Sequence, residues 1–213
     1  MTRPPEVRAG SDQQESSECM TLRFILASGS PRRFEILTNL GLTFSVVSPD
    51  ADESSDIKDP GELTEELALR KGRAVDVPDG DCVIISCDTV VHIDGEILGK
   101  PADEAEARAM LRRLSGRTHE VVSGICIIYN GEAHTAHELT RVTFAEMSDA
   151  DIDTCVRLGS PCDKAGAYAV QGIASLWISG LDGDYFNVVG LPVKLLRDTL
   201  KNSCGIDLTA YLH

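Results

Sequence analysis

Ser28, Gly29 and Ser30, followed by Pro31, Arg32 and Arg33, form the stretch of this chain best equipped for chemistry. Small residues leave backbone N–H groups uncovered, Pro31 suits the first position of a helix, and Ser30 suits the cap before it. An anion at such a helix start meets unpaired N–H groups, the positive end of the helix dipole and here two guanidinium forks that match phosphate oxygens. A capped helix with two solvated arginines has the same sequence, and residue types alone do not separate the two readings.

Acidic residues supply the second half of a possible site. Cys82–Cys87 is a continuous apolar run predicting a strand buried on both faces and ending at Asp88. A carboxylate there has a reason beyond solubility, either chemistry or capping of the following turn. Ser48–Glu53 places Asp50, Asp52 and Glu53 in a loop after another strand, where oxygen ligands suit a hard divalent cation. Spacing alone favours a solvated acidic loop.

Lys71 and Lys100 read singly as surface charges. Together with Arg32 and Arg33 they would neutralise much of a triphosphate, in a chain whose net charge is −14. Gly99-Lys100-Pro101 is not a Walker loop, because proline stands where a magnesium-binding Ser or Thr belongs. Between Lys164 and Gly172 a glycine-rich run points to close backbone approach. Gln171 in it offers an amide donor and acceptor suited to a nucleobase edge, although a hydrogen-bonded turn is the commoner use.

The elements that must position these groups alternate as in an α/β chain. Leu22–Ala27 and Thr43–Val47 read as strands, with helices over Pro31–Leu40 and from about Pro60 to Val75. Asp94-Gly95 and Asn130-Gly131 mark hairpins that make the middle of the chain antiparallel. Asp103–Ser115 has helical spacing with Ala105, Ala109 and Leu111 as inward positions, and Ser148 with Asp151 forms a capping box for a helix to Leu158. Ala167–Val170 and Ala174–Ile178 look extended, and Leu191–Asn202 reads as the last helix.

With 213 residues the chain can bury one sizeable core. Its acidic balance argues against coating nucleic acid or an anionic membrane, and no apolar run is long enough to span a bilayer. Seven cysteines with no C-x-x-C pair suggest neither a disulfide framework nor a zinc site, and fit a reducing, cytoplasmic setting. Residues 1–20 are polar and acidic, unlike a secretory signal, and read as a disordered tail before a single catalytic domain over 21–213.

Ala27–Arg33, Asp52-Glu53, Cys87–Val91, Gly99–Pro101, Asp163–Tyr168 and Asn187–Pro192, taken in order and spacing, resemble the Maf family of nucleoside triphosphate pyrophosphatases. The resemblance spans about Leu22 to Asn202. It implies an elongated mixed α/β sheet flanked by helices, related to the inosine triphosphate pyrophosphatase architecture, with two lobes around a central cleft. It further implies a divalent metal, Mg²⁺ or Mn²⁺, a nucleoside triphosphate substrate and a homodimer. Carried over, it makes Asp88 the proton acceptor, places Glu53 and Asp88 at the metal, and includes Lys71 and Lys100 in the catalytic set. Ser28, Ser30, Arg32, Arg33, Lys71, Lys100 and Lys164 would hold phosphate or substrate.

Arg32, Thr89 and Gln171 follow the branch acting on dTTP and UTP rather than the 7-methyl-GTP branch, which tends to have Trp, Gln and Glu there. Cys87, Gly72 and Asp184 depart from the usual residues without removing a chemical group. A non-catalytic nucleotide-binding regulator of cell division is the rival reading, and retention of both Asp88 and Glu53 argues against it.

Overall fold

β3 (Cys82–Ile93) is the axis of the molecule, a twelve-residue strand that runs straight through Asp88. The expected strand end at Asp88 is therefore wrong: Asp88 pairs with Gly124, and the antiparallel ladder with β5 (Thr118–Tyr129) continues to His92. No turn follows Asp88 directly, so it caps none; the chain reverses into β4 (Glu96–Leu98) at Asp94-Gly95, two positive-φ residues, where the hairpin was expected. The computed structural model describes residues 22–76 and 81–213, so the tail predicted over residues 1–20 lies outside the described residues.

Around β3 the sheet is mixed and seven-stranded, in the order β2-β1-β3-β5-β6-β7 with β4 paired to β3 alone. β1 (Arg23–Ala27) runs parallel to both β2 (Phe44–Val47) and β3, whereas β6 (Glu132–Phe144) and β7 (Ile178–Asp182) extend the antiparallel half. β1 covers one edge of β3 as far as Ser86, and β4 covers the same edge only from Val91. Cys87 to Val90 are thus paired on the β5 side alone, and the sheet has a notch beside Asp88.

Helices close the faces. α1 (Pro31–Asn39) and α6 (Val193–Cys204) pack with β1, β3 and β5 in a core built on Leu26, Leu37, Ile85, Ile125 and Leu196. A second core, with Leu111, Val121, Phe144 and Ile152, lies under α3 (Glu104–Leu114) and α4 (Asp149–Gly159). Ser148 does cap α4, in a reciprocal box with Asp151. Leu111 is inward as expected, but Ala105 and Ala109 are exposed, and α3 buries Ala107, Met110 and Leu114. The larger side chains decide which face turns inward, because burying Met and Leu removes more apolar area than burying Ala.

Two other expectations fail. Residues 165–167 and 173–177 form short 3-10 turns rather than strands, and extended structure starts at Ile178. Gly166 and Ala167 both have positive φ, which no strand accommodates. The last helix begins at Val193, after Pro192, and is preceded by a separate short helix, α5 (Tyr185–Val189), that the sequence reading missed. Asp184, one of the departures from the family pattern, caps α5 by accepting from the N–H groups of Phe186 and Asn187.

α2 (Pro60–Arg73) lies unusually close to the sheet because the stripe it turns inward, Gly61, Thr64, Ala68 and Gly72, is small. A Cβ added to Gly124 on β5 would meet the Thr64–Glu65 backbone at 2.3–2.5 Å, and one added to Gly72 would meet Ser86 Oγ at 2.9 Å. This contact brings the C-terminal half of α2 down onto β3, where Ser86 Oγ donates to the Ala68 carbonyl at 2.7 Å.

Candidate active site

One cleft of about 560 Å³ opens at the notch, lined by residues 27–33 after β1, by Asp88 and Thr89, and by segments 162–165, 168–171 and 188–190. Asp88 and Thr89 point to opposite faces of β3, as neighbours on a strand must. Both reach the cleft because no strand covers that edge. Ser28, Ser30, Arg32, Arg33, Glu53, Lys71, Asp88, Thr89, Lys100, Lys164 and Gln171 all line it, whereas Asp50 and Asp52, the other acids of the 48–53 loop, do not.

On the α2 side, Lys71 Nζ stands between two carboxylates, 2.5 Å from Asp88 Oδ1 and 2.8 Å from Glu53 Oε1. Asp88 is 9% exposed. Burial pulls the Lys71 ammonium toward losing its proton, but the Asp88 charge and the hydrogen bonds to both carboxylates outweigh it and hold the group above the ordinary lysine range. The hydrogen bond from Lys71 likewise holds the Glu53 carboxyl below the ordinary range against the opposing effect of burial, with Lys100 and Arg33 adding their charge. Lys71 and Glu53 therefore face each other as charged groups at neutral pH.

On the other face Arg33 is a brace. Nε donates to the Gly190 carbonyl at 2.8 Å, Nη1 to Ser28 Oγ at 3.1 Å and to the Cys87 carbonyl at 2.6 Å, and Nη2 to Thr89 Oγ1 at 3.1 Å. A guanidinium has five N–H bonds, and these contacts leave one for a phosphate. The Cys87 carbonyl is open to Arg33 because β1 has already ended. Cys87 fills the space under this brace, with its thiol donating to Gly190 O at 3.1 Å, and burial keeps that thiol protonated.

The start of α1 is built as expected in backbone but not in side chain. Ser30 occupies the cap position without a side-chain cap bond; instead its N–H donates to Ser28 Oγ at 3.2 Å. The Ser30 hydroxyl is left for the cleft. Arg32 is 3.9 Å from Asp163, a loose pair, and Lys164 Nζ donates to Asp163 at 2.5 Å and to the Ser160 carbonyl at 2.6 Å. Lys100 and Gln171 are exposed at the rim.

Sequence reasoning missed the supports. Thr89 Oγ1 shares a 2.8 Å hydrogen bond with Ser123, whose hydroxyl also donates to the Asn187 carbonyl at 3.0 Å. Tyr168 lines the cleft and is pinned by its hydroxyl to His119 Nε2 at 2.7 Å, with Phe144 edge-on to both rings. These partners lie 34 to 64 residues apart in sequence; the β3–β5 register sets Ser123 beside Thr89, and the packing of the 168 loop and α5 on β5 brings in the rest.

His119 is 2% exposed, and burial lowers its pKa to about 4. The unfolded chain takes up that proton near pH 6.5, whereas the folded chain takes it up only near 4. Stability should therefore fall as pH drops through this window, by roughly 3 kcal/mol at most from this group, and its contribution should level off below it. Denaturant melts at pH 7, 5.5 and 4 should show the slope in wild type and lose part of it in His119→Gln. An unchanged slope in the variant would assign the acid sensitivity elsewhere.

A family model described as "Maf-like protein" matches residues 23–203. The chain belongs to the Maf family. A Maf relative from Symbiobacterium thermophilum, named dTTP/UTP pyrophosphatase, is 51% identical over 80% of this chain and 89% of its own length. Another, from Bacillus thuringiensis subsp. konkukian and of the same name, is 42% identical over 88% of this chain and 98% of its own. Among solved structures, that of the Staphylococcus aureus Ham1 protein aligns with 58% of this Maf chain and 72% of its own, at 16% identity and a TM-score of 0.43.

Proposed function

We propose that this Maf protein hydrolyses dTTP and UTP to the nucleoside monophosphate and pyrophosphate, with Asp88 as general base. The observation that carries this reading is the hydrogen-bonded Asp88–Lys71–Glu53 cluster in a cleft that is also lined by the α1 start with Arg32 and Arg33. A cleft of about 560 Å³ falls within the size range of small-molecule sites. Its relatives carry the matching name over nearly their full lengths.

In this reading a water molecule loses its proton to Asp88 and attacks the α-phosphorus. The bond from that phosphorus to the α–β bridging oxygen breaks, and pyrophosphate leaves with the electron pair. Ser28, Ser30, Arg32, Lys100 and Lys164 bind the triphosphate, and Lys71 places positive charge where negative charge grows. Arg33 gives its one remaining N–H to phosphate and holds Thr89 in place.

Glu53 and Asp88 are the residues that would hold Mg²⁺ or Mn²⁺. The donor set fits, because magnesium commonly takes one or two carboxylates and completes its shell with phosphate oxygens and water. Among the described residues no group of three or more His, Cys, Asp and Glu side chains forms an all-protein cage. When bound, the ion supplies Lewis acidity at phosphoryl oxygens.

The protein works as a cytoplasmic homodimer in this reading. Among the described residues no helix is long and apolar enough to cross a membrane. Phe34 and Val46 are 46% and 45% exposed beside the open edge of β2, an apolar surface suited to a second copy.

The test is hydrolysis of dTTP and UTP by purified protein with Mg²⁺ or Mn²⁺, with pyrophosphate and monophosphate measured separately. Equimolar release of both is expected. Release of orthophosphate with the diphosphate, or no turnover of any nucleoside triphosphate despite binding, would overturn the reading.

A further inference from the structure

Arg70 precedes Lys71 on α2 but does not line the cleft. Its guanidinium points to the loop between β2 and α2. Nη1 donates to the Ser54 carbonyl at 2.7 Å and to the Asp52 carbonyl at 3.3 Å, the two carbonyls that flank Glu53. Nε donates to Glu66 Oε1 at 2.8 Å, one turn back on the same helix, which fixes the direction of the fork. The loop is also tied to itself, since Asp52 accepts from the Ser54 N–H at 2.9 Å and from its hydroxyl at 2.8 Å.

We propose that Arg70 is a positioning residue for Glu53: it clamps the backbone on both sides of that residue, while Lys71 takes its carboxylate. This rests on Glu53 serving turnover as argued above. Two consecutive side chains of one helix thereby set both the place of the loop and the aim of its acid.

The clamp has a physical task. Glu53 lies in a segment, residues 48–58, with no regular structure, and its side chain is 52% exposed. A single ion pair at such exposure holds little, and an unsupported loop samples many conformations at almost no cost. Asp88 needs no such help, because β3 places it. Loss of Arg70 should therefore release Glu53 and leave the Lys71–Asp88 pair intact.

The test uses the full chain as Arg70→Gln, Glu53→Gln and the double variant, with amide hydrogen exchange and steady-state kinetics on UTP. In Arg70→Gln, exchange at residues 53–55 should rise by about tenfold with β3 unchanged. Its kcat should fall by about five- to tenfold with a smaller change in KM, and this loss should vanish in the Glu53→Gln background, as for two residues acting through one group. Unchanged exchange at 53–55, or kinetic losses that multiply in the double variant, would overturn the proposal. If wild type releases no pyrophosphate from UTP, the reading of the site fails, and the exchange measurement alone decides the role of Arg70.

Discussion

With Asp88 replaced by Asn, release of pyrophosphate from dTTP or UTP is expected to fall by about 10²-fold or more while the fold survives, the loss typical of a missing general base. Asn keeps the shape of the side chain and an oxygen that can accept from Lys71, so the 2.5 Å contact need not be lost. What disappears is the negative charge and with it the capacity to take a proton from water. At saturating Mg²⁺ substrate affinity should change much less, because the phosphate contacts proposed for α1 and the rim lie elsewhere and Glu53 is still there to hold the ion. A circular dichroism melt close to wild type establishes folding, and kcat then reports the chemistry. Near-wild-type turnover in a folded Asp88→Asn protein would remove Asp88 from the role.

Base selection carries the second large effect. dTTP and UTP are expected to exceed GTP and 7-methyl-GTP in kcat/KM by about 10²-fold. A site that reads a polar edge rejects a mismatched base by leaving polar groups unpaired, and buried readers reach larger ratios still. The moderate figure follows from geometry: Gln171 is exposed at the rim, while Thr89 is fixed by Arg33 and Ser123 and Tyr168 by His119. Rigid walls restrict the space for a base, and the Gln171 amide pairs with the carbonyl and imide N–H of a pyrimidine. Gln171→Glu replaces the amide donor by a second acceptor and should erode the preference for pyrimidines. Side-by-side specificity constants decide it, and 7-methyl-GTP outperforming both pyrimidines would overturn the branch assignment while leaving the pyrophosphatase reading in place.

The charged residues that line the cleft were legible in the sequence because most sit in short segments whose local chemistry is unusual for an acidic chain. Ser28–Arg33 announces a helix start, and Asp88 interrupts an apolar run. The hairpins were legible because Asp-Gly and Asn-Gly need positive φ, and both are found there. Asp88 as a strand end was misread because the residues after it, Thr89–Ile93, continue the same ladder, and one carboxylate in a notch does not break pairing on the far side. The 3-10 turns near Tyr168 escaped because the apolar residues there pack as an irregular segment with no period to detect. Nothing local marks Arg33 as a brace or Arg70 as a clamp; their partners are fixed by topology.

The continuity of β3 also bears on how the protein fails. A carboxylate at a frayed strand end or on a lid can be lost by local opening well below the global melt, whereas Asp88 sits near the middle of the central strand, six residues after its start at Cys82. Displacing it requires breaking the β3–β5 ladder and lifting α2 from Gly124, which amounts to unfolding the molecule. The base is therefore as durable as the fold, and partial damage by heat, denaturant or a protease should first reach the Glu53 loop. Such a molecule loses its Glu53 carboxylate before it loses the group that activates water, and where heat or denaturant is the cause that early loss is reversible as long as β3 holds.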